Sequence, residues 1–287
     1  MGEPAAATPF LSVLIPSYNG GHYLAEAIDS VLGQPCADME VLVLDDGSVD
    51  DTLAIARAAA ERDGRVRVLS HENWGAGRTR NQGMDQARGQ WLLFVDSDDA
   101  VLPGFYTEAM RRFLAACLAK GIEAIVPARL EADEALARAR LSTVPHEGVF
   151  PAGSDVCWSI HHEFATLLYA VPMVRREGLR FGELRPEMES IFRHQAVFLA
   201  ERSLFTNDLW FAVRRDNPEQ TTKNWDMAAV NVVREHEYGR LWRWHADRGT
   251  QGFVLEEARR RFEECQRAVA EQREQEGQGR GPLGAEA

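Results

Sequence analysis

At 287 residues the chain is long enough for one large α/β domain or for such a domain with a helical appendage. Hydrophobic residues make up 45% and charged residues 26%, the balance of a globular protein and not of a disordered one. A formal net charge of -12 argues against a sequence-blind nucleic-acid binder, which needs clustered cations, but leaves room for a phosphate ligand met locally by arginine or metal.

The run LSVLIPSYN is β-branched and aliphatic up to Pro16 and reads as a buried strand. GGHYLAEAIDSVLGQ then sets Leu24, Ile28, Val31 and Leu32 at helical spacing and stops at Gly33. MEVLVLDDGS is a second strand, and VDDTLAIARAAAERDG a helix opened by Asp50 or Asp51 as cap. RVRVLSHE, GRTRNQGMDQARG and QWLLFV continue as strand, helix and strand. The order βαβαβαβ with continuous apolar strands implies a parallel sheet covered on both faces. Beyond Pro103, FYTEAMRRFLAACLAKG reads as a helix, IEAIVPARL as a strand, and EADEALARARLSTVPHEGVFPAG as a variable connection. HHEFATLLYAVPMVRREGLRFGE and PEMESIFRHQAVFLAERS read as a helix pair, followed by the strand-like SLFTNDLWFAVRR. Two terminal helices, WDMAAVNVVREHEYGRLWRWHADRG and FVLEEARRRFEECQRAVAEQREQEG, precede a tail QGRGPLGAEA of disordered composition.

In parallel sheets ligands bind beyond the carboxyl ends of the strands. Four polar clusters fall there: Ser17 to Asn19, Asp45 to Ser48, Asn73 to Asn81, and Asp96 to Asp99. One such cluster is ordinarily a helix cap; four on one edge describe a site. Asp96, Asp98 and Asp99 follow directly on a buried strand, where their mutual repulsion calls for a cation or for donors. The cysteines Cys36, Cys117, Cys157 and Cys265 are scattered without a CxxC pair, which suggests neither zinc nor a disulfide framework. MGEPAAATPF lacks the basic start and apolar core of a signal peptide, and no apolar run reaches the ~20 residues that span a bilayer. A cytoplasmic, reducing location is the expectation, with peripheral membrane association left open.

Four stretches, SVLIPSYNGGHYLAEAIDSVLGQ, VLVLDDGSVDDT, ENWGAGRTRNQGMDQARG and LLFVDSDDAVLPG, stand in the order and spacing of the inverting glycosyltransferase family 2, which this chain resembles across residues 11–104. The resemblance implies a GT-A, Rossmann-like α/β fold: a mixed, mainly parallel sheet flanked by helices, here with a C-terminal helical extension. It divides the chain into a disordered N-terminus (1–9), a nucleotide-sugar-binding half (10–104), an acceptor-side half of the same domain (105–222), the helical extension (223–275) and a disordered tail (276–287). Pro16, Ser17 and Tyr18 correspond to the family's nucleobase-facing turn. Asp46 matches the carboxylate that accepts from a pyrimidine N3–H, with Asp45 and Ser48 orienting its loop. That contact favours uracil or thymine over cytosine, which lacks the donor. Arg80 matches the nucleotide-side arginine, whose planar donors suit base or phosphate. Asp96 faces the ribose and Asp98 ligates Mn2+ or Mg2+, with Asp96 and Asp99 as the remaining members of the acidic metal set. The family's general base stands in an acidic pair followed by an aromatic residue. In GLRFGELRPEMESIFRHQ that place is taken by Met188 and Glu189 with Phe192 beyond, so Glu189 is the candidate base and Glu187 its rival.

The resemblance therefore implies single-displacement transfer from a nucleotide-diphospho-sugar, UDP- ahead of dTDP- or GDP-, to an unidentified hydroxyl acceptor, with no nucleic acid and no membrane span. Two other readings stand beside it: a non-catalytic nucleotide-sugar sensor or scaffold, since Met188–Glu189 replaces the usual pair, and a sugar nucleotidyltransferase, disfavoured because IPSYNGGHYL lacks a basic residue. Trp74 is read equally as a stacking residue or a lid on the core. His161 and His162 are read as surface residues, and Trp225, Trp242 and Trp244 as packing for the terminal helices, which also offer a homodimer surface. Arg214, Arg215 and Thr221 are candidates to close over diphosphate or acceptor.

Overall fold

The computed structural model describes residues 8–136, 138–159, 167–183, 188–214 and 227–278. The first third alternates β1 (Leu11–Ser17), α1 (Gly21–Leu32), β2 (Met39–Asp45), α2 (Thr52–Arg62), β3 (Val66–Ser70), α3 (Ala76–Gln86) and β4 (Trp91–Phe94), as the periodicity predicts. All seven residues of β2 are buried, and β1 is buried apart from Pro16, because helices cover both faces of these strands. The parallel register aligns Ser17 with Asp45 and Asp45 with Ser70, so the polar strand ends come to one edge together. α3 lies close against that sheet through Gly83, where a Cβ would stand 2.5 Å from Leu44 Cδ1 and 2.8 Å from Leu14 Cδ2. Any larger side chain there would lift the helix and move Arg80 away from the strand ends. At the opposite end of β2, Glu40 is 3% exposed yet satisfied: it accepts from Ser12 Oγ, the Arg88 N–H, Arg67 and Arg88. Burial would raise its carboxyl, but these bonds outweigh burial and hold it below the ordinary value.

The second half comprises β5 (Ala100–Val101), α4 (Glu108–Ala119), β6 (Ile122–Ala132), β7 (Ala139–Ser142), β8 (Gly148–Pro151), a 3-10 turn (Asp155–Ser159), β9 (Leu168–Ala170), α5 (Val171–Arg176), α6 (Met188–Leu199), β10 (Arg202–Arg214), α7 (Met227–Asp247) and α8 (Phe253–Gln278). The ten strands form one sheet, ordered β3-β2-β1-β4-β9-β6-β10-β5, with β7 on β6 and β8 on β10. Its longest ladders are parallel, β1 with β2 and β10 with β6, and β9 runs antiparallel to both of its neighbours. The fold is thus the mixed, mainly parallel α/β sheet flanked by helices that the sequence implies.

Two expectations fail. Leu168–Ala170, expected within a helix, is a central strand pairing Tyr169 with both Leu92 and Ala124. Three residues carry no period of their own; what makes them a strand is the gap between β4 and β6. The stretch expected as a variable connection instead contributes β7 and β8, which extend β6 and β10.

The terminal helices pack on each other and on α6. A second apolar cluster of Ile191, Tyr238 and Leu241 joins Trp158, Trp244 and Phe262 there. Trp244 meets Phe198 edge-on at 5.7 Å, and Trp242 stacks on Phe262 at 5.7 Å, while Trp225 lies outside the described residues. Among the described residues no helix is long and apolar enough to cross a membrane. Residues 1–7 and 279–287, which include most of both termini expected to be disordered, are likewise outside the described set.

Candidate active site

The loops after β1 and β2 are stapled together before any ligand is considered. Asn19, in the left-handed region at φ 52, donates its N–H to Ser48 Oγ at 2.9 Å and accepts from the Val49 N–H at 2.9 Å. Gly20 N–H reaches Thr52 Oγ1 at 2.9 Å, and Asp50 accepts from the N–H groups of Thr52 and Gly21, capping α2 and tying it to α1. A Cβ at Gly20 would stand 2.6 Å from Ser17 Oγ and 2.7 Å from Ser97 Oγ, so this loop sits directly on the DSDD turn. Ser17 Oγ is buried there with no hydrogen-bond partner among the described residues, Pro16 is half-buried, and Tyr18 is 49% exposed.

Asp45 accepts from Ser48 N–H at 3.1 Å and Ser70 Oγ at 2.8 Å, which holds the β2 turn to β3. Asp46 donates its N–H to the Ser17 carbonyl at 2.9 Å, and its carboxylate accepts from the N–H groups of Trp74 at 2.7 Å and Gly75 at 3.1 Å. Two residues the sequence does not single out for this loop support it. His71 lies with Nδ1 3.6 Å from Asp46 Oδ1 and stacks flat on Trp74, centroids 3.9 Å apart, and the Arg78 guanidinium lies 5.2 Å from the Trp74 ring centre on the same loop. Trp74 is therefore part of a stacked arrangement and not a lid on the core; the signal for His71 was its place at the end of β3 beside Trp74.

Arg80 reaches the strand ends from α3 and is 4% exposed. Its Nη2 lies 3.0 Å from Asp96 Oδ1 and 2.8 Å from Glu189 Oε1, in the first turn of α6. Burial alone would favour a neutral guanidine; the Glu189 and then the Asp96 carboxylates outweigh it and hold the group firmly protonated. A residue of the DSDD turn and one from a helix more than ninety positions later are thus brought to a single cation, itself a member of the third strand-end cluster. Glu187 lies outside the described residues.

The DSDD turn is braced from behind by Arg214. This arginine, 2% exposed, donates to the Asp98 carbonyl at 2.7 Å and the Glu134 carbonyl at 2.9 Å, pairs with Glu26, and packs 4.6 Å from the Tyr23 ring centre. Its own N–H donates to Asp99 Oδ1 at 2.9 Å. Arg214 is built into the scaffold and is not placed to close over a substrate; Arg215, Thr221, His161 and His162 lie outside the described residues. The three aspartates are consequently distinguished. Asp96 faces Arg80, Asp99 accepts from the β10 backbone, and Asp98 gives Arg214 its carbonyl. Among the described residues no group of three His, Cys, Asp or Glu side chains could by itself hold a metal ion. A hard cation at this turn would have to complete its shell with oxygens from outside the protein, such as phosphate and water.

Residues 12–121 match the family model of glycosyl transferase family 2. The chain is 30% identical over 229 residues to the uncharacterized glycosyltransferase EpsJ of Bacillus subtilis, spanning 75% of this chain and 63% of that protein's length. A crystal structure of S. aureus TarS in complex with UDP-GlcNAc superposes with a TM-score of 0.65 at 22% identity, over 80% of this chain and 65% of that one. The mannosyltransferase PcManGT from Pyrobaculum calidifontis, in complex with GDP-Man and Mn2+, does so with a TM-score of 0.56 at 15% identity, over 83% and 65%. The segment that builds this strand-end site, residues 12–121, is thus a glycosyl transferase family 2 segment, set in a sheet with the GT-A fold.

Proposed function

We propose that the protein is a metal-assisted, inverting glycosyltransferase that moves a sugar from a UDP-sugar to a hydroxyl acceptor. The observation that carries this reading is the Arg80 contact pair, because it sets the candidate base Glu189 and the strand-end Asp96 against one buried guanidinium. The contact pair brings the candidate base on α6 to the same strand-end edge as the donor-side turn, which is where a single displacement needs it.

In this mechanism Asp46 reads the base. Its carboxylate already takes two amide N–H bonds, but a carboxylate has about four acceptor sites, so it retains capacity for an imide N–H. The stacked His71 and Trp74 hold the loop that presents it. Asp98 would hold the divalent cation, Mn2+ or Mg2+, which neutralises charge developing on the leaving diphosphate. Glu189, a quarter exposed at the start of α6, removes the acceptor hydroxyl proton as that oxygen bonds to the anomeric carbon and the nucleotide oxygen departs from the opposite side. One displacement inverts that carbon. The UDP-GlcNAc bound by TarS supports a uridine donor, and the Mn2+ bound with GDP-Man by PcManGT supports the cation.

The test is a panel of nucleotide sugars screened by thermal shift with Mn2+, followed by turnover with the donor that stabilises most. Glu189→Gln is expected to keep UDP binding and to retain only a small, measurable remnant of transfer. Full transfer by that variant, or stabilisation by no nucleotide sugar, would remove the reading.

A further inference from the structure

Asn81 follows Arg80 on α3, and both ends of its side-chain amide bond to one distant residue. Its Oδ1 accepts from the Phe181 N–H at 2.9 Å, and its Nδ2 donates to the Phe181 carbonyl at 3.0 Å. An amide used at both ends in this way does for that residue what a neighbouring strand would do: it holds both its N–H and its carbonyl. Phe181, 3% exposed, lies parallel to Phe192 with centroids 4.0 Å apart and an interplanar angle of 9°. Phe192 stands three residues after Glu189 on α6, so the two share a helix face. Phe94, at the end of the strand that leads to Asp96, meets both rings edge-on at 5.3 and 6.4 Å.

We infer that Asn81 is a positioning residue for Glu189. The path runs from the Asn81 amide to the Phe181 backbone, through the Phe181–Phe192 stack, to the face of α6 that bears Glu189. Two consecutive residues of α3 thus hold the same carboxylate by different means: Arg80 by charge, Asn81 by the register of the helix under it. Because Phe94 joins the same aromatic block, the strand carrying Asp96 and the helix carrying Glu189 are set against a common reference. This inference rests on the reading of Glu189 as the base.

The experiment measures kcat and KM for the UDP-sugar chosen by the nucleotide-sugar panel, together with UDP binding by calorimetry in Mn2+, for the full-length protein and its variants. Asn81→Ala removes both bonds to Phe181. Its kcat should fall about 10- to 100-fold, the cost of misplacing a reacting group by about an ångström, while donor KM and UDP Kd stay within about threefold. Added to Glu189→Gln, the same change should lower kcat by less than about twofold, because a positioning residue has nothing left to position. Phe181→Leu keeps the backbone bonds but loses the stack, and should reproduce the loss in kcat; it also decides the matter if Asn81→Ala does not fold. Multiplying losses in the double variant, or UDP affinity falling as steeply as kcat, would overturn the inference. Full activity in Glu189→Gln alone would instead remove the base itself and the inference with it, a result distinguishable because it appears before any change at Asn81.

Discussion

The junction between α6 and the terminal helices holds a buried histidine pair whose acid sensitivity can be worked out from its surroundings. His194 Nε2 lies 2.8 Å from His245 Nε2, so one ring must donate and the other accept, and two charged rings cannot keep the bond. Burial and then the Arg248 charge lower His245 from 6.5 to about 4. Burial, His245, Arg261 and Arg193 push His194 well below its ordinary value, and Cys157 Sγ at 3.7 Å and Thr250 Oγ1 at 3.3 Å complete the polar surroundings. In the unfolded chain each ring takes its proton near 6.5, whereas in the fold His245 does so only near 4. The contribution is therefore complete above pH 6.5 and is lost as pH falls from 6.5 towards 4. One proton of difference is worth about 1.4 kcal/mol per pH unit; allowing for screening by solvent, His245 should remove about 2 kcal/mol across that window. Urea unfolding followed by tryptophan fluorescence at pH 7.5, 6 and 5 would measure it, with Trp158 and Trp244 beside the pair as reporters. His245→Gln, which can still hydrogen-bond His194, should flatten the difference relative to the unmodified protein. Identical pH slopes for the two proteins would refute the argument.

Three further outcomes follow from the site. Asp98→Ala should weaken UDP binding in Mn2+ about tenfold and make it insensitive to EDTA; unchanged, EDTA-sensitive affinity would count against the metal assignment. Arg214→Ala strips donors from the Asp98 and Glu134 carbonyls and leaves Glu26 without its buried partner, and should cost about 3 kcal/mol in urea unfolding. A loss below about 0.5 kcal/mol would show that the DSDD turn does not need its brace. Asp46→Asn exchanges one acceptor oxygen for a donor facing the Trp74 and Gly75 N–H groups, and should weaken UDP more than tenfold while GDP changes less; equal losses for both would sink the base-reading role.

How far the sequence reveals this molecule depends on the distance over which each feature is decided. β1 to β4 are legible because each is an apolar run long enough to show its own pattern, and because parallel register then brings their polar ends to one edge without further information. β9 is not legible, since its three residues become a strand only through the neighbours waiting on either side. Arg214 lies 115 residues from the aspartate it serves, and nothing near it in sequence distinguishes a brace from a substrate clamp. The same holds for the two aspartates beside it, whose spacing makes them look equivalent until Arg80 takes one and the β10 backbone takes the other.

That division has a chemical consequence. If all three aspartates were metal ligands, the turn would be a preformed cage, and the cation could bind tightly without nucleotide. On the proposed reading, Asp96 and Asp99 each have one oxygen engaged by the protein, so a cation held at Asp98 would take fewer oxygens from the turn and more from the diphosphate, and metal and donor should bind as one unit. The Asp96 and Asp99 carboxylates also tie the turn to α3 and β10. Through Arg80 the first of them also reaches the helix bearing Glu189, so the DSDD turn, α3 and α6 belong to one connected network.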